Sequence, residues 1–354
     1  MSSSGSKRAS GGAKDERKNA SSKEESPVTG RDRDEGSGGT SADGTPQPGS
    51  KPGSAGASSR EAVQKLLALA ARGEWAPVDQ LLKSLEKAAQ SAGEDGGPLL
   101  PLASVMDPAT GMTPLMYAVK DNRTGLLDRM IELGADVGAR NNDNYNALHV
   151  AAMYSREDVV KLLLSKRSVD PYATGGPRQQ TAIHLVASRQ TGTATSILRA
   201  LLAAAGRDIR LKVDGKGKIP LLLAVEAGNQ SMCRELLAQQ APDQLRATTA
   251  TGDSALHLAA RRRDIDMVRI LVDYGATVDM QNGDGQTALH IASAEGDETL
   301  VKYFYGVRAS ASITDHQDRT PMHLAAENGH ASIIELLADK FKRAYSKGRR
   351  TDRR

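Results

Sequence analysis

The chain has 354 residues, room for roughly two ordinary domains, but only 2 Phe and 1 Trp, so any core is built from Leu, Ile, Val and Ala. The net charge of +4 belongs to one end: the last thirteen residues, KRAYSKGRRTDRR, carry seven basic side chains and one acidic, leaving −2 for the other 341. A single cysteine, Cys233, excludes an internal disulfide and fits a reducing, cytoplasmic setting.

In chain order, residues 1–56 are Ser, Gly, Lys, Asp, Glu and Pro, with Val28 the only large aliphatic after Met1. Such a stretch buries too little apolar surface to offset ordering entropy, so it predicts a disordered tail. No apolar h-region opens it, so no secretory signal is expected. Residues 57–104 read as a degenerate helical cap and linker. Arg60–Ala89 gives two helices separated near Gly73–Pro77, and a Gly- and Pro-rich connector follows. No apolar run approaches the ~20 residues of a transmembrane helix; the longest resemble IPLLLAV at Ile219–Val225.

A six-residue motif then recurs: TPLMYA at Thr113, NALHVA at Asn146, TAIHLV at Thr181, IPLLLA at Ile219, SALHLA at Ser254, TALHIA at Thr287 and TPMHLA at Thr320. The starts are 33, 35, 38, 35, 33 and 33 residues apart. A period near 33 with a T-P-L-H-x-A signature is that of ankyrin repeats. The expected fold is therefore an all-α solenoid of about seven helix–turn–helix units, each with a hairpin loop, over residues 105–341.

Each motif residue has a physical role. Thr113 and Thr320 sit where a hydroxyl caps a helix start, and Pro114 and Pro321 follow with φ already set for helix. Paired alanines let neighbouring helices approach. Second helices are expected at VVKLLL (Val159), SILRALL (Ser196), MVRILV (Met267) and IIELLA (Ile333); Gly275 falls just after the third of these, and Gly134 in the same place in the first unit. The 38-residue step predicts extra loop between Arg189 and Lys218. No polar capping unit follows IIELLADKF, so self-association through an uncapped last unit is a further expectation, and the basic tail reads as a solvated end.

The histidines do not form a metal site on spacing. His149, His184, His257, His290 and His323 occupy one slot per unit, ~10 Å apart, whereas shared zinc ligands converge at ~2 Å from the metal. Their expected role is a hydrogen bond tying a helix start to a neighbouring loop. His316 and His330 read as solvent contacts, and Cys233 as a buried structural thiol. GKGK at Gly215–Lys218 lacks phosphate-loop spacing. Nothing in the chain reads as an enzyme, and no cofactor is implied.

Function is expected on the surface instead. Hairpin tips and the exposed sides of the first helices choose a protein partner in such arrays. The candidate partner-binding residues are Asn142, Asp143, Asn144, Tyr145, Lys216, Lys218, Arg261, Arg262, Arg263, Asp284, Asp318 and Arg319. No specific nucleic-acid motif accompanies them.

The run DPATGMTPLMYAVKDNRTGLLDRMIELGADVGARNNDNYNALHVAAMYSREDVVKLLL, and its continuation to about Phe341, resembles the N-terminal ankyrin array of TRPN-type mechanosensory channels. The resemblance implies a cytoplasmic tether coupling a cation channel to microtubules at the membrane of sensory cilia. Pore helices are absent from this chain, so conduction is not expected of it.

Overall fold

A computed structural model describes residues 54–91, 101–206 and 208–338. The stretch of expected disorder up to residue 53 and the basic tail lie outside the described residues. The chain opens with α1 (Ser54–Arg72) and α2 (Trp75–Ser91). Paired helices follow: α3 (Pro114–Lys120) with α4 (Thr124–Glu132), α5 (Ala147–Tyr154) with α6 (Glu157–Leu164), and α7 (Ala182–Ala187) with α8 (Ala194–Ala205). The fourth unit has α9 (Pro220–Glu226), α10 (Gln230–Leu237) and a short α11 (Ala241–Arg246). Then come α12 (Ala255–Arg261) with α13 (Ile265–Asp273), α14 (Ala288–Ala294) with α15 (Glu298–Gly306), and α16 (Pro321–Glu327) with a last helix over residues 331–338.

Helices this short do not hold in isolation; capping and stacking hold them here. Thr113 takes the amide of Met116 at 3.2 Å, with Pro114 next in line. Between the two helices of a unit the backbone turns through a left-handed residue, Asn122 in the first and Arg263 in the fifth (φ 57° and 58°). First helices stack in the order α1, α3, α5, α7, α9, α12, α14, α16, and second helices α2 to α10 stack likewise, α10 continuing onto α13. Ala151, Ala152, Ala259 and Ala260 are fully buried at the close approach. The core runs unbroken from Val63 to Leu337, and each Leu in it contributes roughly 1.5–3 kcal/mol by leaving water.

Three features depart from expectation. The helical cap begins at Ser54, earlier than the apolar pattern at Arg60, and its helices stack on α3 and α4 as an eighth pair. The long step holds a twelve-residue α8 and a 3₁₀ turn, Asp208–Leu211, in place of plain extra loop. In the next step α11 starts from Gln240 at φ 55°, and fully buried Gln244 donates from Nε2 to the carbonyls of Leu236 (2.8 Å) and Gln239 (2.9 Å). A side-chain amide there closes the end of α10, where units one, three and five use Gly134, Gly206 and Gly275.

Candidate interaction surface

The tips preceding each first helix are tight turns closed by backbone bonds such as Asn141 N–H to Tyr145 O and Asn282 N–H to Gln286 O, both 2.9 Å. Neighbouring tips are joined by Asn142 N–H to Thr110 O (3.1 Å), Gly215 to Arg178 (2.6 Å), Gly283 to Thr251 (3.0 Å) and His316 to Asp284 (3.0 Å). The tips also face the ends of their own first helices: Lys218 Nζ lies 2.5 Å from Glu226, Arg261 2.9 Å from Asp253 and Arg319 3.1 Å from Glu327.

Between the first two units this face opens into a cleft of about 290 Å³. Thr110 and Met112 of one tip, Asn142, Asp143 and Tyr145 of the next, and Lys120, Val150, Met153 and Tyr154 of the first helices line it. Tyr154 is 55% exposed, and the Lys120 ammonium sits 5.8 Å from its ring centre. Tyr145 leans on the tip of the third unit, where Gly176 (φ 73°) brings bare backbone against its ring; a Cβ there would overlap the phenol. Burial, then the Asp143 charge, pushes the Tyr145 hydroxyl pKa up, so the ring enters the cleft as a neutral donor.

The other sequence candidates are distributed unevenly. Asn142 is committed to its neighbour, since Nδ2 also donates to Ala109 O at 3.1 Å, and Asn144 occupies the left-handed turn position at φ 65°. The three consecutive arginines all have partners inside the array. Arg261 pairs with Asp253, Arg262 donates to Glu226 O at 2.7 Å and Arg263 pairs with Asp297 at 3.3 Å. Burial works to raise the Asp253 pKa, but hydrogen bonds from Asn282, Thr251 and Arg261 hold it below the ordinary carboxylate value. Arg319 braces Asp315, whose carboxyl those bonds and two backbone amides hold at about 2 against the opposing effect of burial. Lys216, Asp143, Asp284 and Asp318 project with exposed side chains. Tyr154, Met153 and Lys120 were not among the candidates. Their signal was available: they fill the second and third slots after the six-residue motif.

The motif histidines link the units. In His149, His184, His257 and His290, Nδ1 accepts the amide of the capping residue (3.3, 3.3, 3.1 and 3.1 Å). Nε2 meets the carbonyls of Gln180, Lys218, Gln286 and Arg319 in the next tip (3.0, 3.1, 2.8 and 3.1 Å). His323 makes the same bond to Thr320 but is exposed. His330 is no plain solvent contact: its Nε2 lies 3.0 Å from Ala294 O in the preceding unit. Among the described residues no group of three His, Cys, Asp or Glu side chains could hold a metal.

The Ankyrin repeats (3 copies) family model matches residues 57–175, 183–282 and 275–350, well over half the chain. The chain belongs to the ankyrin-repeat family. It is 29% identical over 171 residues to the nuclear factor NF-kappa-B p105 subunit of Gallus gallus, covering 48% of this chain and 17% of that one. It is 31% identical over 200 residues to a putative palmitoyltransferase, ZDHHC13, of Danio rerio, covering 46% of this chain and 30% of that one. The chain thus spans less than a third of either relative. The crystal structure of the ankyrin repeat domain of Bcl-3, a member of the IkappaB protein family, superposes with a TM-score of 0.56 at 28% identity, over 64% of this chain and 99% of that one. Ankyrin repeats are protein-interaction modules, and no described helix of this one is long and apolar enough to cross a membrane.

Proposed function

We propose that this ankyrin array is a non-enzymatic scaffold that docks a partner protein on the face made by its tips and first-helix ends. The observation that carries the reading is the cleft of the first two units, with Tyr154 held largely in solvent at its edge. Exposed aromatics over a preformed cleft are the usual anchors of protein recognition. In the finer form of the proposal the array is the cytoplasmic tether of a TRPN-type channel and its partner is the microtubule. What supports that form is the sequence resemblance over residues 107–341.

Two measurements test it. A photo-crosslinking residue at position 154 should capture the partner, while one at 302, on exposed Lys302 of α15, should not; equal capture at both overturns the docking face. Cosedimentation with microtubules, titrated with salt and repeated without residues 342–354, tests the tether. Binding that survives loss of the tail and weakens with salt supports it, and no pelleting at low salt removes it.

A further inference from the structure

Corresponding slots of successive units divide the docking face into three zones. In the first two units the slots hold Met112, Tyr145, Met153 and Tyr154, an apolar and aromatic group around a cleft that Lys120 and Asp143 also line. In units three to five they hold Arg178, Arg189, Lys216, Lys218, Arg261 and Arg262. In units six and seven they hold exposed Asp284, Glu295 and Glu327, together with Arg319, which pairs with Glu327 and Asp315; exposed Asp318 stands one position further along its tip than Asp284 does.

The middle zone keeps its positive charge. Of its acids, Glu226 and buried Asp253 pair with Lys218 and Arg261, and buried Asp214 accepts the amides of Lys216 and Lys218 and the Gln180 side chain, so six basic side chains face three carboxylates. Arg262 donates to Glu226 O, and Arg189 donates to Ala152 O at 2.7 Å; neutral carbonyls satisfy the donors without cancelling the charge. Arg178 and Lys216 project from adjacent tips joined by the Gly215–Arg178 backbone bond.

From this order we infer that the docked partner segment is an extended polypeptide with an aromatic or apolar anchor, followed by a run of acidic side chains. The inference rests on the docking reading above and names its ligand class. The anchor enters the cleft at Tyr145 and Tyr154, and the acids lie against Arg178 and Lys216. Stacked helices are ~10 Å apart, so Arg178 and Lys216, one and two units beyond Tyr145 and Tyr154, lie ~10–20 Å from the anchor, or about 3–6 extended residues. A polynucleotide fits the middle zone alone, because the carboxylates of units six and seven repel a polyanion that runs past it.

The test uses fluorescein-labelled peptides with one Trp, a Gly/Ser spacer of about five residues and a short glutamate run, read by anisotropy on the full chain. Shortening the spacer to about two residues, or removing the Trp, is expected to weaken binding about tenfold. R178E with K216E should do the same, Y154A should abolish the advantage of the Trp, and K302E on α15 should leave binding unchanged. Each variant's circular dichroism melt must match the parent's for its result to count. Equal binding of short- and long-spacer peptides overturns the proposal, as does tighter binding of a single-stranded oligonucleotide of equal charge. If no peptide binds while crosslinks still form at position 154, the docking face stands and this ligand class is wrong.

Discussion

The Nε2–H of His257 donates to the carbonyl of Gln286 across 2.8 Å, while its Nδ1 accepts the Ser254 amide at 3.1 Å. A carbonyl on one side and an amide donor on the other leave the ring one comfortable state, the neutral Nε2–H tautomer. A proton on Nδ1 would face that amide.

Stability should therefore fall with acid. Burial, before any other influence, lowers the pKa of His149 to about 4 and pulls down those of His184, His257 and His290. Above pH ~6.5 both folded and unfolded rings are neutral and the full stability is present. As pH drops below that, the unfolded chain takes up protons the folded chain refuses. For His149 the loss is complete near pH 4 and amounts to on the order of 3 kcal/mol. Urea midpoints from pH 7.5 to 4 should decline through this window, less steeply in His149→Gln. A flat profile contradicts the neutral-ring arrangement.

Cys233 should resist alkylation. It is fully buried in α10, and burial pushes its thiol up to about 12, so both access and ionisation oppose reaction. At pH 8 a disulfide reagent should label it at least ~1,000-fold more slowly than the urea-unfolded chain, through transient opening alone. Labelling at the rate of a free thiol would place Cys233 outside the core.

The N-terminal pair is tied on by charge. Arg129 of α4 reaches both Asp79 and Glu86 of α2, and Trp75 donates to Asp121 at 2.9 Å with the Arg123 guanidinium 5.6 Å from its ring centre. Arg129→Met keeps the aliphatic stem and removes both ion pairs. The only Trp in the chain should then red-shift in emission and report an early melt of α1 and α2, while most far-UV helix signal persists. Unchanged emission up to the main transition would mean that apolar stacking alone docks the pair.

The repeat was legible because five of seven units carry His in one slot and the others keep the apolar spacing. Unit four was still readable despite Ile219 and Leu222, since IPLLLA preserves every buried position. The site was less legible. Arg261, Arg262 and Arg263 look free in sequence, yet their partners lie 8, 36 and 34 positions away, a distance at which no local pattern signals pairing. Tyr154 was passed over for a related reason: an aromatic at a helix end reads as core until stacking leaves it outside. APDQLR of α11 is too short to show a helical period, and Gln244 gains its role only beside the end of α10.

The seam between units four and five should open first. Ile219 offers no cap hydroxyl and Leu222 no imidazole, so this junction lacks the His–carbonyl link. Among the described residues no backbone bond joins its two tips, whereas the first junction, also without the His link, has Asn142 to Thr110, Ser155 Oγ to Val119 O (2.6 Å) and Arg156 N–H to Asn122 Oδ1 (2.7 Å). At the seam the polar links are Arg262 to Glu226 O, Gln230 to Asp264 at 3.3 Å and Tyr274 to Arg234 O at 3.5 Å, the last two long. Amide exchange should place a boundary between α10 and α12, with α9 and α10 opening below the free energy of α13 and α14. Leu222→His alone should destabilise, because a polar ring enters a dry site without its cap. Adding Ile219→Thr supplies the hydroxyl and the link, and should recover about 1 kcal/mol of that opening energy. If α10 and α13 exchange as one unit in the parent chain, the seam is not a boundary, whatever the double variant does.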